Sequence, residues 1–191
     1  NWMLTNITEE IPDKFGKPNE INEFIDREFV QFSNYDNVIS IPQFEDGLKP
    51  SQRKILYGTY KKNVREELKV AQLGGYIAEN TEYHHGEANL YGTIIGMAQD
   101  FVGTNNINYL EPLGNFGNRR DPSSAASARY IFTRINPLID YIFRKEDNII
   151  LNYKEEEGTK IEPEFYLPII PMILVNGATG IGTGWSTDIP K

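Results

Sequence analysis

Apolar side chains recur every three or four positions in several segments of the first half of the chain. This spacing places them on one side of a helix and leaves a polar side for solvent. In the earliest segment, Asn19 is a candidate N-cap, and Ile21 and Phe24 begin the apolar side. The pattern predicts four helices, over residues 20–33, 50–62, 67–80 and 88–102. We expect the third helix to end or kink at the Gly74–Gly75 pair.

The second half of the chain has shorter apolar runs, separated by glycine and proline, which are typical of strands and turns. Residues 107–118 predict a strand followed by a glycine turn, and residues 146–166 predict a hairpin that turns near Gly158. Residues 167–175 predict a buried strand before a glycine-dense loop. Helices followed by short strands indicate an α+β fold, in the form of a helix-turn-helix unit with a β wing.

The composition fits a folded globular protein, with 39% hydrophobic and 12% aromatic residues. The chain has no cysteine, which excludes disulfides and cysteine metal sites and fits a reducing compartment. No apolar run approaches the roughly 18–20 residues of a membrane span, so we expect no membrane partner. The opening NWMLTNITEE does not resemble a signal peptide and lacks an initiator Met. We therefore expect the sequence to be a segment of a longer protein.

The formal net charge of −8 conceals an uneven distribution along the chain. Residues 49–134 carry 11 basic and 8 acidic side chains, a net charge of +3, whereas the segments before and after them are net −7 and −4. The basic residues are dense between Lys49 and Lys69, where only Glu66 and Glu67 oppose them. Such a run is most often a solvated helix face, but it is also able to bind phosphate if the fold gathers it on one surface.

The glycine-dense loop GATGIGTG, residues 177–184, has only loosely the G-x-G-x-x-G spacing of dinucleotide-binding sites. That fingerprint needs a helix directly after the loop, and the following WSTDIP has no helical pattern. We therefore reject a nucleotide site and predict a tight β-turn. Ile181 is the unusual residue, because a branched apolar side chain stands alone between glycines.

The only two histidines, His84 and His85, are adjacent in the motif YHHGE. Neighbouring residues on a helix point in different directions, and no third ligand lies at a clear spacing, so a zinc site is not predicted. Two interpretations stay open. The histidines carry a proton or donate hydrogen bonds to phosphate, or they are simply the polar start of a helix.

A run of small residues, SSAASA, precedes Arg129 and Tyr130. A tyrosine hydroxyl ordinarily has a pKa of about 10, so it is a weak nucleophile at neutral pH unless a neighbour stabilises the phenolate. A guanidinium does this and also binds phosphate through two hydrogen bonds. The small residues would let a DNA backbone approach closely. From these residues alone, attack of Tyr130 on a phosphodiester is one hypothesis among several.

Five longer motifs, taken in their order along the chain, resemble the breakage–reunion region of the type IIA DNA topoisomerases. They are SIPQFEDGLKPSQRKIL, KVAQLGGYIAENTEYHHGE, TIIGMAQDFVGTNNINYLEPLGNFGNRR, AASARYIFT and EPEFYLPIIPMILVNGATGIGTGW. The resemblance runs from about residue 20 to the end and is highly specific, because several long motifs keep their order and spacing. YHHGE and NNINYLEP are of the eukaryotic topoisomerase II type, whereas gyrases typically have YHPHGD.

Two departures from the family pattern bear on the source of the chain. The glycine turn is GNFG where many eukaryotic enzymes have GQFG, and the loop NRRDPSSAASA is shorter than the usual eukaryotic version. A protist or a large DNA virus is therefore as credible a source as an animal or a fungus. The resemblance implies a location in the nucleus, or in the host cytoplasm if the enzyme is viral.

The resemblance also implies a role for each candidate residue. Tyr130 would be the nucleophile that forms a 5′-phosphotyrosine bond, and Arg129 would stabilise the scissile phosphate. Ile181 would wedge between base pairs and bend the DNA, in agreement with the way apolar wedges unstack a base step. The other DNA contacts that the motifs imply are Lys49, Arg53, Lys54, Lys69, Gln72, His84 and His85. No residue of this chain is implied as a metal ligand.

The domain organisation that the resemblance implies has three parts. Residues 1–30 would be a linker from a preceding TOPRIM domain, residues 31–140 a winged-helix (CAP-like) domain, and residues 141–191 the start of a β-rich shoulder or tower domain. Mg²⁺ would be held by the TOPRIM domain and ATP by an ATPase domain, both outside this chain. The implied partners are double-stranded DNA and a second copy of the protein, since the tyrosine of one subunit works with the metal site of the other.

Three alternative functions compete with this interpretation. A non-catalytic winged-helix DNA-binding module would explain the positive central segment but has no use for Arg129 and Tyr130. A bacterial-type gyrase or topoisomerase IV subunit shares the chemistry, and a TOPRIM domain upstream on the same polypeptide would exclude it. A small-molecule enzyme built on the histidine pair is supported by the two histidines alone.

Overall fold

The computed structural model of the chain describes residues 21–83, 85–156 and 158–191. Helices make up most of the first half of this part, and most of the strands follow them. The strands form three small antiparallel sheets. The α+β class predicted from the sequence is therefore confirmed.

The described part begins with helical backbone that continues without a break to Ser40. It consists of α1 (Ile21–Glu23), a π-helical turn (Phe24–Phe29) and α2 (Val30–Ser40). The helix predicted over residues 20–33 thus extends further than the apolar pattern indicated. It ends where Ile41 adopts an extended backbone, because a following proline disfavours helical dihedral angles in the residue before it.

The second predicted helix, α3 (Pro50–Lys62), is confirmed with its expected ends. Proline occupies a first-turn position, where its missing N–H costs no hydrogen bond. The helix ends at Asn63, which adopts the left-handed conformation with φ 55°. Ile55 and Leu56 are fully buried, so α3 passes through the centre of the core.

The next two helices, α4 (Val70–Asn80) and α5 (Glu87–Ala98), pack against α3 and against each other. The predicted break at Gly74 and Gly75 is wrong, because α4 passes through both glycines. Gly74 serves packing instead. A Cβ at this position would lie 2.4 Å from Cε1 of Tyr91 on α5, so the absence of a side chain lets that ring lie against α4.

Gly58 brings α3 close to α4, since a Cβ there would lie 2.7 Å from Cγ1 of the fully buried Ile77. We expect Gly58→Ala to lower the local free energy of unfolding by about 1–3 kcal/mol, the usual cost of overpacking a core. Gly75→Ala is the matched control. A Cβ there meets nothing within 4 Å, and helix propensity favours alanine by about 0.5–1 kcal/mol.

Backbone amide hydrogen exchange of α3 and α4 in the full-length protein measures both changes, because exchange of core amides reports local stability. Faster exchange in Gly58→Ala and unchanged or slower exchange in Gly75→Ala is the expected result. Equal destabilisation by the two variants would contradict the close α3–α4 contact.

A three-stranded antiparallel sheet adjoins these helices. Its strands are β1 (Leu68–Lys69), β2 (Leu110–Leu113) and β3 (Phe132–Ile135), in the order β1-β3-β2. The strand predicted within residues 107–118 is therefore confirmed as β2. Because β1 leads directly into α4 and pairs with β3, the start of α4 lies beside the segment that precedes β3.

Downstream of β3, the chain forms α6 (Pro137–Ile142) and a 3₁₀ helix (Lys145–Ile149) before the predicted hairpin. The hairpin consists of β4 (Tyr153–Glu156) and β5 (Thr159–Pro163), and β5 packs on α3. Gly158 has a φ of +76° at the turn, a conformation that favours glycine. The hairpin prediction is confirmed at the predicted turn.

The buried strand predicted over residues 167–175 is wrong, because the segment contains the short helix α7 (Met172–Val175). Met172 and Ile173 are buried, whereas 60% of Leu174 is exposed. A short apolar run does not distinguish a buried strand from a buried helical turn, which explains the error.

The glycine-dense loop belongs to a hairpin of β6 (Ala178–Ile181) and β7 (Ser186–Ile189). The tight turn predicted there is confirmed, with the Gly182 N–H donating to the Trp185 carbonyl oxygen at 2.9 Å. The hairpin lies against α2.

One hydrophobic core connects most of the described elements. Ile55 of α3, Leu73 of α4 and Ile94 of α5 pack in the same cluster as Ile139 of α6 and Met172 of α7. The core therefore fixes the start of α4, and with it the segment just before β3, where Arg129 and Tyr130 lie.

Candidate functional site

The turn that carries Tyr130 is fixed to the start of α4 by backbone hydrogen bonds. The first N–H groups of a helix have no partner within the helix. Here the Ala71 N–H donates to the Ala128 carbonyl oxygen at 3.1 Å, and the Val70 N–H donates to the Ile131 carbonyl oxygen at 3.0 Å. The Tyr130 N–H closes the turn by donating to the Ser127 carbonyl oxygen at 2.9 Å. The position of Tyr130 is therefore set by α4.

Tyr130 is held on both sides but is itself open to solvent. Ala128 and Ile131 are buried in the core cluster, while 71% of Tyr130 is exposed. Arg129 beside it is also exposed. Two buried neighbours thus anchor a dipeptide whose own side chains remain available to a ligand.

Two further predicted residues lie at the same helix end. Lys69 is the N-cap of α4, and Gln72 lies in its first turn; both are exposed. The Lys69 ammonium lies 5.9 Å from the centre of the Phe132 ring. A helix N-terminus carries a partial positive charge, so Lys69 and Arg129 add to a potential that favours an anion.

The loop before the tyrosine turn is held by a buried side chain that sequence reasoning missed. Gln99, only 8% exposed, donates from Nε2 to the carbonyl oxygens of Phe116 and Pro122, both at 2.8 Å. The Ala126 N–H then donates to the Asn115 carbonyl oxygen at 2.9 Å. A glutamine after an apolar helix gave no signal of this role, because it depends on contacts 17 and 23 residues away.

Several other tyrosines are poor candidates for a nucleophile. Burial raises the pKa of Tyr60, Tyr109 and Tyr166 above the ordinary value, so their phenolates are disfavoured. Burial also raises the pKa of Tyr91, whose hydroxyl donates to the Glu87 carboxylate at 3.0 Å. Exposure beside an arginine therefore sets Tyr130 apart from these four.

A groove of about 1010 Å³ lies between α2, α3 and α5, with the two hairpins at its other side. Lys49, Lys54 and His85 are among its lining residues. His85 is exposed, its Nε2 lies 3.4 Å from the Tyr35 hydroxyl oxygen, and its ring lies edge-on to Tyr83 at 5.6 Å. The structure thus places three predicted contacts in this groove.

The prediction for His84 lies outside the described residues.

The prediction that Arg53 contacts DNA is contradicted by its burial. Only 2% of Arg53 is exposed. Its Nε donates to Asp46 Oδ2 at 2.8 Å, and its Nη2 donates to Asp46 Oδ1 and to the Leu48 carbonyl oxygen, both at 2.9 Å. Asp46 also accepts from the backbone N–H groups of Leu48 and Tyr166. Arg53 therefore joins the loop before α3 to the chain near Tyr166 and has no free face for DNA.

Lys54 has a partly structural role. Its Nζ donates to the Thr81 carbonyl oxygen and, at 3.0 Å, to Oε2 of the buried Glu162. Only 14% of its side chain is exposed. One of its three N–H donors is left over for a ligand in the groove, so a DNA contact stays a prediction for this residue.

Ile181 ends β6, opposite Ser186 on β7, and 79% of it is exposed. The sequence prediction of an exposed isoleucine among glycines is therefore confirmed. Its function as a wedge stays a prediction.

Within residues 21–83, 85–156 and 158–191, no three His, Asp or Glu side chains come together in a way that could hold a metal ion. In the same ranges, no helix is both long enough and apolar enough to span a bilayer.

Comparison with known proteins places this geometry in a family. Residues 40–191 match the family model described as DNA gyrase/topoisomerase IV. DNA topoisomerase 2 of Saccharomyces cerevisiae is 57% identical over 190 residues, which cover 99% of this chain and 13% of the yeast protein. DNA topoisomerase 2 of Plasmodium falciparum is 52% identical over 192 residues, covering 100% of this chain and 14% of that protein.

A solved structure agrees with these relatives. The crystal structure of the Plasmodium falciparum topoisomerase II DNA-binding, cleavage and re-ligation domain is similar with a TM-score of 0.88 and 52% identity, covering 100% of this chain and 26% of that one. The chain belongs to the type IIA DNA topoisomerases, on the side of the eukaryotic topoisomerase II enzymes. It spans only about an eighth of the length of the curated relatives named above.

Proposed function

We propose that the chain is the DNA-binding and cleavage region of an ATP-dependent type IIA DNA topoisomerase. The observation that carries the proposal is the exposed Arg129–Tyr130 pair, on a turn bonded through its backbone to the positive end of α4. A nucleophile beside a phosphate-binding cation, at a helix N-terminus, is what covalent attack on a phosphodiester requires. The whole enzyme would make a transient double-strand break, pass another duplex through it and reseal it.

In the proposed reaction, the Tyr130 hydroxyl oxygen attacks the scissile phosphorus. The P–O3′ bond breaks as the P–Oη bond forms, which leaves a 5′-phosphotyrosine and a free 3′ hydroxyl. The phenolic proton leaves to solvent, and the departing 3′ oxygen takes up a proton. Arg129 holds the phosphate through charge-assisted hydrogen bonds. Religation is the reverse reaction and needs no external energy, because the phosphodiester energy is kept in the covalent link.

The proposed domain is a winged helix over residues 31–140, with α4 as the helix nearest the scissile phosphate. Its support is the succession of α3, α4 and α5, followed by a small sheet whose central strand comes directly after Tyr130. Residues 1–30 would link to a TOPRIM domain, and residues 141–191 would begin the shoulder or tower.

The proposed DNA contacts fall into three groups. Lys69 and Gln72 would hold phosphates beside the tyrosine, since both are exposed at the start of α4. Lys49 and His85 would contact the backbone from the groove. Ile181 would enter the base stack and bend the duplex, because an exposed apolar side chain at a hairpin end is able to unstack a base step.

Mg²⁺ does not fit the described residues, which contain no set of three metal ligands. We therefore assign Mg²⁺ to a TOPRIM domain and ATP to an ATPase domain elsewhere in the whole protein, and we derive no step through either. The enzyme would act as a homodimer in the nucleus, since each Tyr130 would need a metal site from the other subunit.

Lys69→Ala is expected to weaken DNA binding uniformly across sequences, because the residue contacts phosphate and not base edges. Losing one phosphate contact lowers the slope of log affinity against log salt concentration by about 1. Lys61→Ala is the matched control, because Lys61 is exposed at the far end of α3 and lies 5.7 Å from the Tyr57 ring. Equal salt slopes for Lys69→Ala and wild type, in fluorescence anisotropy with the full-length protein, would remove Lys69 from the interface.

A covalent-complex assay tests the proposed activity. Full-length protein is incubated with supercoiled DNA, Mg²⁺ and ATP, then denatured, and DNA-linked protein is collected. The proposal predicts linked protein and relaxed DNA. DNA binding without any linked protein would favour a non-catalytic DNA-binding module instead.

A further inference from the structure

The hairpin beneath Ile181 is packed unusually tightly against the C-terminal half of α2. A Cβ at Gly180 would lie 2.4 Å from the Ser40 carbonyl oxygen, and a Cβ at Gly182 would lie 2.1 Å from Oδ1 of Asn37. No side chain fits in either space, so the glycines on both sides of Ile181 let the strand touch the helix. This contact accounts for the glycine-dense sequence without any bound nucleotide.

Directional hydrogen bonds lock the same contact. The Thr183 hydroxyl donates to Asp36 Oδ2 at 2.8 Å, and Nδ2 of Asn37 donates to the Thr183 carbonyl oxygen at 3.2 Å. The Ser40 hydroxyl donates to Asp36 Oδ1 at 3.0 Å, so the carboxylate is held from within α2. The hydroxyl–carboxylate bonds are charge-assisted and therefore stronger than neutral ones.

A second set of bonds holds the base of the hairpin. Asn176 accepts from the Ile107 N–H at 2.9 Å and donates to the Ile107 carbonyl oxygen at 2.8 Å. Asn106 donates to the Val175 carbonyl oxygen at 2.7 Å. The base of the hairpin is thus tied to the loop after α5, and its tip is tied to α2. Only the outward face that carries Ile181 is left exposed.

A wedge that unstacks bases must resist the force with which the stack pushes back. A free two-stranded hairpin is too weak for this by itself, because isolated hairpins are only marginally stable. The contact with α2 supplies the missing support, since it opposes displacement of the turn next to Ile181.

We propose that Asp36, Asn37 and Thr183 are positioning residues that hold the Ile181 hairpin rigid for DNA bending. They act through Ile181 and touch no DNA themselves. The inference rests on the proposed role of Ile181 as the wedge. Because α2 continues without a break from the π-helical turn, the direction of the wedge is set by the helix that enters this region from upstream.

The test uses the full-length protein and a short duplex with a donor and an acceptor dye at its two ends, under conditions in which wild type bends it. Thr183→Val removes the hydroxyl and keeps the shape, and Asp36→Ala removes its acceptor. Thr179→Val is the matched control, because Thr179 is exposed on the same hairpin and hydrogen-bonds through its side chain to no described residue. Ile181→Ala marks the loss of the wedge itself.

We expect Thr183→Val and Asp36→Ala each to lower the ratio of bent to straight bound DNA by about 5- to 10-fold, the effect of one charge-assisted hydrogen bond. Affinity at the same salt should change by less than about 3-fold, and Thr179→Val should bend DNA like wild type. Wild-type bending by Thr183→Val and Asp36→Ala, with bending lost in Ile181→Ala, would overturn the positioning role alone. An equal loss in Thr179→Val would overturn it too. Wild-type bending by Ile181→Ala would instead overturn the proposed wedge.

Discussion

Tyr130→Phe is expected to abolish the covalent protein–DNA adduct and to lower DNA relaxation by at least about 1,000-fold, the scale of loss when a covalent nucleophile is removed. DNA affinity should change by no more than about 2-fold, as for most exposed substitutions. The substitution deletes a single hydroxyl from a side chain that is 71% exposed. The turn is held by backbone bonds of Val70 and Ala71, which the substitution leaves intact.

Tyr91→Phe is the matched control for this experiment. Its ring lies against Gly74 of α4, and its hydroxyl donates to Glu87 instead of facing solvent beside Arg129–Tyr130. We expect this variant to form adducts at close to the wild-type level. Adduct formation by Tyr130→Phe would mean that another residue is the nucleophile, and the assignment of Arg129 would then also be lost.

Arg53→Ala is expected to lower the local free energy of unfolding around α3 by about 3–5 kcal/mol, the cost of leaving one partner of a buried ion pair alone. The Asp46 carboxylate would stay fully buried without its cation. Its bonds to the Leu48 and Tyr166 N–H groups offset only part of the loss. Amide hydrogen exchange of α3 in the full-length protein measures the change.

Arg65→Ala provides the comparison for Arg53. Arg65 pairs with Asp140, and about a third of each side chain is exposed, so we expect a loss of less than about 1 kcal/mol. If Arg53→Ala left exchange unchanged but weakened DNA binding several-fold, with a smaller salt slope, Arg53 would be a DNA contact after all.

The fold could be predicted from the sequence wherever the apolar spacing was regular over three or more turns. The helix from Pro50 and the hairpin at Gly158 appear as predicted because their caps and turns are local signals. The continuity of α4 through Gly74 could not be predicted, since it depends on Tyr91 from another helix. The short helix at Met172 was mistaken for a strand because four apolar residues carry no clear period.

The candidate site was predictable to the extent that residues announce chemistry by type and order. Arg129 and Tyr130 were found in this way, and the structure leaves both exposed. Arg53 was misassigned because its neighbours in sequence are basic, while its partner Asp46 lies seven residues upstream in a buried loop. The supporting role of Gln99 needed contacts distant in sequence, which no local pattern reveals.

The most direct test is to identify the amino acid that becomes linked to DNA. Full-length enzyme is trapped on DNA with denaturant, the complex is digested with nuclease and protease, and the nucleotide-bearing peptide is sequenced by mass spectrometry. The account predicts a nucleotide joined through its 5′ phosphate to Tyr130. A nucleotide on any other residue, or a 3′ linkage, would contradict it.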